Sequence, residues 1–170
     1  MPDDTPDFLE TTFNPEGLIL DNQVAFVPAG EYELELLGVP FGPYQKDGYW
    51  IPAVRPQWLV CDPELQEAMG IPNPQVQQFI ELEYDGGPFE SREAIKERGR
   101  LVLARNRQTR LAAGLLTPLG FNTGKAWSFA QMIHSRVWGR VELPRDERAR
   151  YSNVAYIAAK RTDLQRRGRF

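Results

Sequence analysis

A chain of 170 residues, 42% hydrophobic and 25% charged, has the make-up of one globular domain and excludes disordered or fibrous material. Apolar runs fall well short of the roughly 20 residues of a membrane span, and the acidic start from Met1 to Glu10 lacks the pattern of a signal peptide, so an intracellular, cytoplasmic protein with no membrane partner is expected. Net charge is only -3, yet residues 96–170 carry 17 Lys and Arg against 5 acids, while residues 1–95 carry 3 against 18. That asymmetry points either to a basic surface for an acidic partner or to two halves that neutralise each other across one fold. The single cysteine, Cys61, cannot form an internal disulfide, and with the single histidine, His134, it cannot build a Cys/His zinc site. Both read as packing residues, and no metal or cofactor is expected.

Residues 1–17 combine Asp3, Asp4, Asp7, Glu10 and Glu16 with three prolines, which predicts an acidic, poorly ordered arm ahead of one domain over 18–160. From Val27 a turn leads into a strand, with Tyr32, Leu34 and Leu36 alternating against Glu31, Glu33 and Glu35. Residues 39–75 form an insertion dense in aromatics, Pro and Gly. Trp50 to Cys61 could form a hairpin arm there, with Pro52 and Pro56 confining it to an edge or a bulge. Its Tyr49, Trp50 and Trp58, with Arg55, are either stacking candidates or a satellite hydrophobic cluster. Within it Asp62 to Gly70 reads as a short helix, with Asp62 as N-cap, Pro63 in the first turn and Gly70 at the end.

Gln78 to Tyr84 predicts a strand with Ile80, Leu82 and Tyr84 opposite Phe79, Glu81 and Glu83. Ser91 to Arg98 predicts a helical turn or two, and Arg100 to Arg105 a short strand. A helix beginning at Asn106 places Leu111, Ala112, Leu115, Leu116 and Leu119 on one stripe, stopped by Pro118 and Gly120. A second helix is expected over 123–134, burying Ala126, Phe129, Ala130 and Ile133 and ending on His134. Arg136 to Leu143 then alternates: Arg136, Trp138, Arg140 and Glu142 on one face, Val137, Val141 and Leu143 on the other. Pro144 to Arg150 is a turn-rich connector carrying Arg145, Arg148 and Arg150, and Tyr151 to Ala158 is a second strand, so the pair reads as an antiparallel hairpin with a basic tip. Residues 161–170 form a basic C-terminal tail.

This order predicts a mainly β, α+β protein: a five-stranded, OB-fold-like antiparallel barrel, with a helical pair between strands 3 and 4 and a long insertion between strands 1 and 2. In such a barrel the loops joining strands 1–2 and 4–5 flank the binding face. The aromatic insertion and the arginine-rich connector fall at those two places. Flat rings between guanidinium groups suit unpaired bases strung on phosphates. The candidate binding residues are therefore Tyr49, Trp50, Arg55, Trp58, Arg105, Arg107, Arg136, Trp138, Arg140, Arg145, Arg148, Arg150 and Tyr151.

Val27-Pro-Ala-Gly-Glu-Tyr32, Gly99-Arg-Leu-Val-Leu-Ala-Arg-Asn106, the Ala112 to Gly120 segment ending Leu-Gly, Arg136-Val-Trp-Gly-Arg140 and Tyr151-Ser-Asn-Val-Ala-Tyr156 together resemble bacteriophage OB-fold single-stranded DNA-binding proteins and related uncharacterised phage domains. The resemblance implies sequence-tolerant binding of single-stranded DNA in phage replication or recombination, with proteins of those processes as further partners and a monomeric or dimeric state. The 39–75 insertion is long for that family. The basic Arg166-Arg-Gly-Arg169 replaces the family's common acidic, partner-recruiting tail, which puts recruitment through the C-terminus in doubt.

Catalysis is not expected: the chain has no Gly-rich phosphate loop, nucleophile elbow or metal-ligand cluster, and adjacent acids such as Asp146 and Glu147 among arginines are usually ion-paired. The alternative is a phage protein-binding module, a virion component or host RNA polymerase regulator, whose aromatics and arginines form a protein interface. Salt separates the two, since phosphate binding weakens log-linearly with salt.

Overall fold

Alternation fixes the first strand. In β1 (Gly30–Gly38) Leu34 and Leu36 are fully buried and Glu31, Glu33 and Glu35 point outward, as their period of two requires. The computed structural model describes residues 26–84, 88–95, 97, 108–121 and 126–167. The acidic arm and the expected strand over 100–105 lie outside the described residues.

β1 pairs antiparallel with both β5 (Gln57–Val60) and β8 (Arg136–Glu142). β5 pairs antiparallel with β6 (Gln75–Gln77), and β8 with β9 (Ser152–Ala158). The ring closes through a parallel pairing of β6 with β9, giving the order β1-β5-β6-β9-β8. This is a closed five-stranded, OB-fold-like barrel. Its one parallel pairing corrects the all-antiparallel expectation for a reason of parity: strand direction cannot alternate all the way round an odd-numbered ring.

The second and third barrel strands correct the sequence assignment. Both arise at or within the 39–75 stretch, and Gln78–Tyr84 supplies only β7 (Ile80–Glu81), outside the barrel. β5 turns Trp58 and Val60 inward, and β6 turns in only Val76, too short a run to carry a visible period. The true insertion between strands 1 and 2 is thus shorter. It holds the hairpin of β2 (Tyr44–Lys46) and β3 (Tyr49–Ile51), turned by Asp47 and Gly48, both at positive φ as a tight two-residue turn demands. It also holds β4 (Ala53–Val54), which pairs with β7 (Ile80–Glu81) in a small sheet beside the barrel. Ile80 and Leu82 face the core, as the alternation predicts, and Phe79 faces out.

Helix α1 (Pro63–Met69) starts and stops where expected: the Asp62 carboxylate accepts from the Glu64 and Leu65 N–H groups, and Gly70 ends it at φ 67°. Helix α2 begins as Thr109–Leu111, widens into a π turn at Ala112–Leu116 and closes as Thr117–Leu119. Leu111, Leu115 and Leu116 are its buried stripe. Pro118 does not stop it, contrary to expectation; Gly120, at φ 82°, does. Proline lacks the N–H that would bond the Gly114 carbonyl four residues back, and its ring crowds that carbonyl, so the helix accommodates it by widening.

Helix α3 (Phe129–Met132) is shorter than the expected 123–134. Ser128 and Gln131 form a capping box that sets its start, and it buries Met132 while Ala126 and Ala130 stay exposed. On β8, Val137, Gly139 and Val141 face inward and Arg136, Trp138, Arg140 and Glu142 outward, as expected. Gly139 has no room for a side chain, because an added Cβ would sit 2.3 Å from Leu34 Cδ1. Leu143 is a correction: the strand ends at Glu142, before Pro144, and Leu143 is 56% exposed. Most of the expected basic tail is helix α4 (Arg161–Arg167), which packs against β8 and β9 with Leu164 buried. Among the described residues no helix is long and apolar enough to cross a membrane.

Candidate functional site

The connector between β8 and β9 is built on Asp146. Its carboxylate accepts from the Arg148 N–H at 2.9 Å and its carbonyl from the Ala149 N–H at 3.1 Å, folding the loop into a turn. With Asp146 held by backbone, Arg145, Arg148 and Arg150 are exposed and make no ion pair among the described residues. This loop forms one wall of a groove of about 650 Å³.

Arg55 and Phe79 form the facing wall. The Arg55 Nε donates to the Gly42 carbonyl at 3.1 Å, which lays its guanidinium 5.1 Å from the centre of the Phe79 ring. Phe79 in turn meets Tyr44 edge-on, with centres 5.2 Å apart, and remains 41% exposed. Gln77 and Asn153, register partners on β6 and β9, lie between the walls, and Tyr151 stands at the start of β9. The groove therefore lies over the seam of β6 and β9, barrel strands 3 and 5, between Arg55 of the 1–2 loop and the 4–5 loop.

Behind this face runs a buried relay. The Trp58 indole N–H donates to the Gln78 side-chain oxygen at 3.1 Å, and the Gln78 amide nitrogen donates to the Gly114 carbonyl at 2.8 Å, the group that Pro118 leaves without its helical donor. Gln78 thus satisfies two groups that burial would otherwise strand. The Ser152 hydroxyl donates to the Val27 carbonyl at 2.6 Å, tying β9 to the start of the domain.

The structure brings five of the expected residues to the groove: Arg55, Arg145, Arg148, Arg150 and Tyr151. Trp58 is a correction, since it is fully buried inside the barrel and cannot stack on a ligand. Tyr49 is exposed on the β2–β3 hairpin and Trp50 is half-buried with Arg92 5.5 Å from its ring; neither lines the groove. Arg105 and Arg107 lie outside the described residues.

Arg136, Trp138 and Arg140 share the outer face of β1 and β8, also away from the groove. Arg136 bridges Glu33 at 3.1 Å and Glu35 at 3.3 Å, and Arg161 stands 5.2 Å over the Trp138 ring while approaching Glu31 at 3.6 Å. His134, at φ 71° beyond α3, contacts Glu35 at 3.2 Å. The hydrogen bond from His134, then that from Arg136, holds the Glu35 carboxyl below its ordinary range. Burial pushes the Cys61 thiol up, as suits a packing residue.

Phe79, Gln77 and Asn153 were not among the expected residues. Phe79 carried a signal, an aromatic on the polar face of its strand; the two amides carried none until register placed them side by side. Among the described residues no three His, Cys, Asp or Glu side chains are grouped to hold a metal ion.

Fold and groove together define an OB-fold-like barrel with a basic, aromatic-edged cleft over its β6–β9 seam. No family model, curated protein or solved structure matches the chain.

Proposed function

We propose that the protein binds single-stranded nucleic acid in this groove with little sequence preference, and that its ligand is DNA. The observation that carries the reading is convergence: three unpaired arginines and two exposed rings, Phe79 and Tyr151, line one groove between Arg55 of the 1–2 loop and the 4–5 loop, the two loops that flank the oligonucleotide site of OB folds. Arginines supply phosphate contacts and the rings supply stacking platforms, and neither distinguishes one base from another. A place in phage replication or recombination belongs to the same reading and is supported by the sequence resemblance.

Titration with a fluorescent oligo-dT, repeated with duplex DNA of equal length and at two salt concentrations, tests it. Single strands should bind more tightly than duplex, and affinity should fall log-linearly with salt. Equal affinity for duplex, or salt-independent binding, overturns the reading.

A further inference from the structure

Three side-chain amides cross the wet face of the barrel on one rung. Gln57 pairs with Gln77 in the β5–β6 register, and Gln77 pairs with Asn153 in the β6–β9 register. Neighbouring strands lie about 4.8 Å apart, so the row spans about 10 Å. Gln57 and Gln77 are half-buried and Asn153 is exposed, and none of the three amides has a hydrogen-bond partner among the described residues. Because β6 and β9 run parallel, Phe79, two residues beyond Gln77, lies to one side of the rung, and Tyr151, two residues before Asn153, lies to the other. The amides thus run between the two rings.

An amide offers one acceptor beside two donors, and turning it over exchanges them. The free edge of every base carries a donor next to an acceptor: the amino group beside a ring nitrogen in adenine and cytosine, the carbonyl beside a ring N–H in guanine and thymine. A rotatable amide therefore matches any unpaired base, whereas in a duplex those edges are already paired. We propose that Gln77 and Asn153, the two amides of this row that line the groove, hydrogen-bond the Watson–Crick edges of unpaired bases held between Phe79 and Tyr151, without regard to base identity. This rests on the groove being a single-strand site, and it adds a second source of single-strand selectivity that stacking and charge do not provide.

The test compares oligo-dT with an oligonucleotide of equal length made of N3-methylthymidine, which keeps the phosphates and ring faces but blocks the edge donor. The wild-type protein should bind the methylated strand about 5-fold more weakly for each hydrogen bond lost. A Gln77→Leu, Asn153→Leu double variant should bind oligo-dT more weakly with an unchanged salt slope, and should no longer distinguish the two strands. Equal binding of both strands by the wild type, with log-linear salt dependence, overturns the amide row while leaving the groove as the single-strand site; binding of neither strand overturns both. The oligonucleotide comparison needs no variant, so a failure of the double variant to fold does not decide the outcome.

Discussion

Two aromatic residues on adjoining segments show how burial divides labour at the scale of single side chains. Trp58 sits inside the barrel with its indole N–H on Gln78, and Phe79 stands outside with one face under Arg55. Trp58→Ala should cost about 3–5 kcal/mol of folding stability, since it opens a cavity and strips Gln78 of a partner. Phe79→Ala should leave melting nearly unchanged and cost about 1–3 kcal/mol of single-strand affinity. Melting curves and oligo-dT titrations on the two variants check the division; a stable Trp58→Ala protein with weakened binding would reverse it. Sequence alone could make only half of this division: alternation put Phe79 on the outer face of its strand, whereas Trp58 sits in the aromatic-rich 39–75 stretch, where only the barrel decides which ring faces inward. Trp138 shows the same limit from the other side. Its outward direction was legible from alternation, but that Arg161, 23 residues later in the chain, lies over its ring was not.

At the scale of elements, local chemistry was legible wherever a cap or an alternation marked it: Asp62 and Gly70 bound α1, and β1, β8 and β9 stand where their periods put them. Elements were lost where the signal was short or non-local. β6 turns in a single valine, and the π turn of α2 is tolerated through a glutamine 36 residues away from Gly114. The pairing of β1 with β8 carries a pH dependence of definite sign. Glu35 has a folded-state pKa below its ordinary 4.5, chiefly through its hydrogen bond with His134. A depressed carboxylate contributes stability that is present above the unfolded value and is lost as pH falls through the folded one. Wild type should therefore melt higher than Glu35→Gln above about pH 4.5, and the difference should shrink in more acid solution. A difference that stays constant down to pH 2, or grows as pH falls, would remove Glu35 from this role.

Across the whole molecule, the charge asymmetry of the sequence does not translate into one basic half. Among the described residues, two faces treat their arginines oppositely. On the β1–β8 face Arg136 and Arg161 are matched by Glu31, Glu33 and Glu35, so the acidic first half and the basic second half cancel there. On the groove face Arg145, Arg148 and Arg150 have no acidic partner among the described residues, and Asp146 is engaged by its own loop. Among the described residues the two halves thus neutralise each other on one side of the barrel and leave unpaired arginines on another. For the proposed single-stranded ligand, this distribution predicts which charges it will sense. For single strands, each phosphate neutralised contributes about 0.7 to the slope of log affinity against log salt. Arg148→Ala should weaken oligo-dT binding and lower that slope by about 0.7. Arg136→Ala removes a guanidinium already committed to two carboxylates on another face, so both affinity and slope should stay at the wild-type value. The two variants alter net charge equally, which removes long-range attraction as an explanation of any difference between them. Equal loss of slope in both would mean that the ligand responds to overall charge and not to this groove, and a loss confined to Arg136→Ala would move the binding surface to the β1–β8 face.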